Sequence, residues 1–145
     1  MNKIALIVAR YNQDLTQGLL DGALSYLSQH GYQSDAIDVF WVPGAFEIPV
    51  VAKHVIDSTR YKGLICLGIV IRGETAHFDF VSAEACRGVN QLAIDSGVPL
   101  ALGVLTTENR QQAKDRVFGR KGNKGREAAQ ALLDTLSVIE TIHTV

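Results

Sequence analysis

The chain has 145 residues, 47% hydrophobic and 20% charged, with 14 basic and 15 acidic side chains giving a formal net charge of −1. That length suits one domain over residues 1–145 with a substantial core, and the even charge excludes the basic balance typical of nucleic-acid binders. No apolar run reaches the roughly 18 residues that span a membrane, and a strand pattern starts too near the first residue to leave room for a signal peptide.

Residues 3–9 (KIALIVA) are short, continuous and apolar, the pattern of a strand buried on both faces. Residues 14–30 follow with helical spacing: Leu15, Leu19, Ala23 and Leu27 mark one face, and Gly31 suits the C′ position. Residues 36–42 predict a second strand, and 46–58 a helix whose first turn must hold Pro49. Residues 63–71 (GLICLGIVI) predict the third strand and 80–96 the next helix, ended near Gly97 and Pro99. Cys66 falls in that strand and Cys86 in that helix. Their spacing makes neither a metal site nor a disulfide framework, so both read as core thiols of a reduced, cytoplasmic protein. Residues 99–105 predict a fourth strand, 108–117 a shorter helix, and 124–143 the last, with Ala128, Leu132, Leu136 and Ile139 along one face. Alternation with continuous apolar strands predicts a flavodoxin-like three-layer α/β/α sandwich around a four-stranded parallel sheet, joined by right-handed crossovers. Its short edges invite cover by neighbouring subunits.

The chemically unusual residues cluster behind the strands. Arg10-Tyr11-Asn12 follows the first, 42–47 (VPGAFE) the second, 72–80 (RGETAHFDF) the third and 106–109 (TTEN) the fourth. In a parallel sheet these strand ends share one edge, where open α/β sheets bind ligands. The loop opening at Gly73 offers unpaired backbone N–H groups to an anion. His77 is the one histidine in such a loop, since His30 and His54 are at or in helices and His143 is near the C-terminus. Its imidazole is either a proton carrier or a polar helix-start residue. Arg116 and Lys124 bracket a glycine-rich basic stretch, RVFGRKGNKG, which is either a mobile loop that meets a phosphate or a solvated turn between helices. The phosphate-loop pattern of nucleotide binders is absent. Glu47 is an acceptor for a hydroxylated ligand or a first-turn helix acid, and Tyr11 a stacking ring or a packed edge residue.

Five segments, in this order and spacing, resemble the 6,7-dimethyl-8-ribityllumazine synthase family over almost the whole chain: Arg10-Tyr11-Asn12, VPGAFEIP at 42–49, IRGETAHFDF at 71–80, GVLTTEN at 103–109 and GNKG at 122–125. VPGAFEIP followed by IRGETAHF is the specific part. The resemblance implies a transferase of riboflavin biosynthesis, without metal or organic cofactor. It would condense 5-amino-6-(D-ribitylamino)uracil with 3,4-dihydroxy-2-butanone 4-phosphate. It implies proton transfer by His77, and phosphate binding by the turn of Gly73, Glu74 and Thr75 together with Arg116, whose fork suits that anion. Tyr11 would stack on the pyrimidine, with Asn12 beside it. Ala45, Phe46 and Glu47 would line the ribityl chain, and Ile69, Val70 and Ile71 would read the uracil edge. Leu102 would close the pocket from a neighbouring subunit, and Lys124 is a further residue that would reach it.

The resemblance also implies pentamers, or sixty-subunit icosahedral shells of twelve pentamers, with sites between adjacent subunits and riboflavin synthase as a possible protein partner. Three features depart from the family pattern. Tyr11 stands where phenylalanine or tryptophan is commoner, Leu102 stands where phenylalanine is frequent, and the chain starts almost at its first core strand, without the N-terminal extension that many members pair with a neighbour's sheet. A second expectation, a non-catalytic flavin- or lumazine-binding protein on the same scaffold, would use the same stacking contacts but leave His77 and Arg116 without a phosphate to serve.

Overall fold

In the computed structural model, which describes residues 2–145, the four apolar runs pair in parallel. They form β1 (Lys3–Ala9), β2 (Ile37–Val42), β3 (Tyr61–Ile71) and β4 (Leu100–Thr107), in the spatial order β2-β1-β3-β4. The helices are α1 (Gln13–Gln29), α2 (Ile48–Asp57), α3 (His77–Ser96), α4 (Arg110–Asp115) and α5 (Lys124–Thr144). Alternating side chains divide the core. Ile4, Leu6 and Val8 of β1 join Ile65 and Leu67 of β3 beneath α1 and α5. Ala5, Ile7 and Ala9 join Leu64 and Cys66 beneath α2 and α3. The expected three-layer arrangement results. Burial pushes the Cys66 thiol up to about 12, so it stays protonated in the core. Among the described residues no helix is long and apolar enough to cross a membrane.

The boundaries differ from the sequence reading in informative ways. β3 begins at Tyr61, not Gly63, because Tyr61 pairs with Lys3 and its hydroxyl donates to Asp38 at 2.7 Å. Lys3 also reaches Asp38 at 2.8 Å, and its ammonium, followed by the Tyr61 hydroxyl, holds the Asp38 carboxyl below its ordinary range. These contacts pin the N-terminal ends of β1, β2 and β3 together. α3 begins at His77 rather than Phe80, and β4 runs on to Thr107, paired with Ile71. The helix expected over 108–117 shortens to α4, because the Asn109 side chain accepts from the Gln112 N–H and sets its start. Pro49 sits in the first turn of α2, where its missing N–H costs nothing.

The chain winds from β1 to β2 on one side and returns to β3 on the other, so the topological switch point lies between β1 and β3. Opposite it, α1 and α5 pack closely. A Cβ at Gly125 would run into the Leu19 backbone carbonyl, so only glycine permits this approach. Asn123 fixes the same junction: its Nδ2 donates to the carbonyls of Gly18 (3.0 Å) and Val117 (2.8 Å), and its Oδ1 accepts from the Arg126 N–H (2.9 Å). GNKG is thus a packing and capping device. Gly125→Ala should force α5 off α1 and destabilise the protein by about 2–3 kcal/mol, seen as a lowered thermal midpoint at fixed protein concentration. An unchanged midpoint would mean that the helices separate without cost.

Candidate active site

A cavity of about 690 Å³ opens at the C-terminal ends of β1 and β3, at the switch point. Its floor comes from a mismatch of strand lengths. Pairing of β3 with β1 ends at Val8–Leu67, whereas pairing with β4 continues to Ile71–Thr107. Beyond Leu67, the edge of β3 on the β1 side has no strand partner among the described residues. Ile69, Val70 and Ile71 on this overhang line the cavity. The Ile69 carbonyl accepts from Asn12 Nδ2 at 3.2 Å.

Asn12 makes that bond by adopting a left-handed conformation, φ 62°, which its side-chain type tolerates better than most. Its carbonyl then accepts from the N–H groups of Leu15 and Thr16, both at 2.9 Å, starting α1. The sharp turn leaves Tyr11 74% exposed, lining the cavity. A second wall follows β2: Gly44 is extended, and a 3-10 turn over Ala45–Glu47 buries Ala45 while presenting Phe46 and Glu47 to the cavity.

The third wall is the segment behind β3. Gly73, Thr75 and His77 line the cavity, and Thr75 Oγ1 accepts from the His77 N–H at 3.3 Å. His77 is the first residue of a 20-residue helix, so the backbone N–H groups of its first turn and the partial positive charge of the helix end lie at the cavity wall.

Ten of the sequence-predicted residues therefore meet at one cavity: Tyr11, Ala45, Phe46, Glu47, Ile69, Val70, Ile71, Gly73, Thr75 and His77. Asn12 stands behind Tyr11 and supports the floor, while Glu74 lies exposed in the turn off the cavity wall. Leu102, Arg116 and Lys124 are not brought there by the same chain. Leu102 is 39% exposed on edge strand β4. Arg116 caps α4, its Nη1 donating to the Gln112 carbonyl at 2.9 Å. Lys124 opens α5, its N–H donating to the Arg116 carbonyl at 2.9 Å. No lysine or arginine lines the cavity among the described residues; its ionisable walls are Tyr11, Glu47, His77 and Glu84.

Sequence reasoning missed Phe80, Val81 and Glu84, which also line the cavity. Their signal was helical spacing from His77, at three, four and seven residues, hidden by starting α3 at Phe80. Pro43, Gly44 and Phe78 complete the lining. Among the described residues no three metal-ligating side chains converge. The arrangement offers a ring to stack upon, an open backbone edge, carboxylates for hydroxyl groups and a helix terminus with an imidazole for an anion and its protons.

The sequence pattern of the 6,7-dimethyl-8-ribityllumazine synthase family matches residues 1–140. The chain is 47% identical over 140 residues to the 6,7-dimethyl-8-ribityllumazine synthase of Nitratidesulfovibrio vulgaris strain DP4, covering 97% of this chain and 90% of that one. The same identity and coverage relate it to the enzyme of that name from Pediococcus pentosaceus. A match of this length and identity means that the chain belongs to the 6,7-dimethyl-8-ribityllumazine synthase family.

Proposed function

We propose that this chain is a lumazine synthase of riboflavin biosynthesis. It condenses 5-amino-6-(D-ribitylamino)uracil with 3,4-dihydroxy-2-butanone 4-phosphate to give 6,7-dimethyl-8-ribityllumazine, phosphate and water. The observation that carries this reading is the convergence of Tyr11, the β3 overhang, Glu47 and the His77 helix start on one cavity, in a chain of this family. The pyrimidine stacks on Tyr11 with its polar edge along the backbone of Ile69, Val70 and Ile71, and its ribityl chain runs past Ala45 and Phe46 to Glu47. The phosphate takes the N–H groups of the turn at Gly73, Glu74 and Thr75. The 5-amino group then faces the ketone carbon. Imine formation expels one water, and elimination expels phosphate to leave a new carbonyl. Attack of the ribityl-bearing nitrogen on that carbonyl closes the ring with loss of a second water. His77, at the phosphate end, accepts and returns the protons these steps move.

Among the described residues no lysine or arginine lines the cavity to meet the phosphate, and Arg116, Lys124 and Leu102 all lie elsewhere on the chain. An adjacent copy supplies them, in a pentameric ring as the minimal unit. Exposed Leu102, Ile94 and Phe118 give apolar surface for such contacts.

Incubation with both substrates should yield lumazine fluorescence well above the spontaneous rate; a rate equal to that background sinks the synthase reading. Because holding two substrates side by side supplies much of the acceleration, His77→Ala should lower kcat by about 10- to 100-fold and leave pyrimidine affinity nearly unchanged. Equal loss of both would make His77 a pocket-shaping residue. Arg116→Ala should chiefly raise the KM for the butanone phosphate. If the two residues meet across subunits, equal co-assembly of His77→Ala and Arg116→Ala chains should restore about a quarter of the wild-type sites. Activity no higher than that of the separate variants would place Arg116 in the same subunit's site.

A further inference from the structure

We infer that Arg72, which does not line the cavity, is a positioning residue that clamps the phosphate-binding turn to the sheet; this rests on the anion-binding role proposed for residues 73–75. Arg72 leaves the end of β3 with its backbone N–H bonded to the Thr107 carbonyl at 2.9 Å, so its origin is fixed against β4. From there its guanidinium spreads over three groups. Nε donates to Glu108 Oε2 at 2.8 Å, Nη2 donates to Asp79 Oδ1 at 3.2 Å, and Cζ lies 4.4 Å from the centroid of the Phe78 ring.

These contacts matter because little else holds the turn. Residues 73–77 are all exposed, and a Cβ at Gly73 would meet nothing within 4 Å. The turn's other hydrogen bonds are local ones: His77 N–H to Thr75 Oγ1, and the N–H groups of Asp79 and Phe80 to the Ala76 carbonyl. Arg72 precedes the turn and Asp79 follows it, so their link closes the segment on itself. The bond to Glu108 then ties the closed segment to the end of β4. The same side chain offsets two carboxylates that would otherwise repel an arriving phosphate. A lysine ammonium keeps the charge but cannot reproduce the fork and the stacking together. Preorganised N–H donors bind an anion more tightly than donors that must be ordered on arrival.

The test uses the full chain as Arg72→Ala and Arg72→Lys, with steady-state kinetics in each substrate, calorimetric titration with inorganic phosphate, and thermal midpoints. Arg72→Ala should raise the KM for the butanone phosphate and the Kd for inorganic phosphate about tenfold, while the KM for the pyrimidine stays within about twofold. Arg72→Lys should show a smaller rise, about threefold, in the same two constants. Equal change in both KM values, an unchanged phosphate Kd, or full rescue by lysine overturns the positioning role. If Arg72→Ala does not fold, Arg72→Lys carries the test by itself. A wild-type protein without turnover defeats the synthase reading instead. The phosphate titration still decides the clamp in that case, because it requires no chemistry.

Discussion

The site depends on β3 being longer than β1. A parallel strand is normally satisfied on both edges, and a buried N–H or C=O left without a partner costs on the order of 1–3 kcal/mol. Here β4 accompanies β3 to Ile71 and supports one edge, while β1 stops opposite Leu67 and leaves the other open. The overhang is therefore held by one ladder and open to a ligand on its other side. Asn12 completes the arrangement by taking the Ile69 carbonyl, and the left-handed turn required for that bond also turns Tyr11 outward. One register decision thus places the floor, the ring and the start of α1.

The two helical layers play unequal parts. On the α1–α5 side, Gly125 and Asn123 bring helices close enough to seal the sheet, and the larger cluster of buried residues lies there. On the α2–α3 side, small residues such as Ala45, Ala52 and Ala85 face the sheet, while Tyr11, Phe46 and Phe80 remain largely exposed. Three large aromatic rings around one cavity in contact with water are unfavourable surface unless something covers them. The stable layer holds the sheet in place, and the open layer displays the rings.

The apolar runs made the strands and their order legible, because a short continuous hydrophobic stretch between helical patterns fits little but a buried strand. Residues of VPGAFE and RGETAH line two walls of one cavity, since strand-end loops of a parallel sheet must share an edge. Less was legible where distant contacts set the answer. Tyr61 extends β3 because of Asp38, which lies 23 positions away, and a local pattern cannot contain that information. Glu84 reaches the cavity only once α3 is known to begin at His77. The basic stretch at 116–125 shows the opposite difficulty. Its glycines and charges suggested either a mobile phosphate loop or a solvated turn, but Asn123 clamps its end to Gly18 and Val117.

On the proposed synthase reading, charge is the reason that one chain would not complete the site. The cavity walls carry two carboxylates, Glu47 and Glu84, and no lysine or arginine among the described residues. Opposing them is the N-terminus of α3, equivalent to roughly half a positive charge, and Arg72 is already engaged by Asp79 and Glu108. A phosphate monoester adds nearly two negative charges at neutral pH. The helix end can orient such an anion through its N–H groups, but it does not balance it. On the proposed reading Glu47 accepts from ribityl hydroxyls, so removing acid from that wall would not relieve the deficit. The proposed reaction would therefore take its cation from outside the chain's own cavity. In the proposed assembly, Arg116 of an adjacent copy would supply that cation, which would tie the charge balance of the reaction to the quaternary structure.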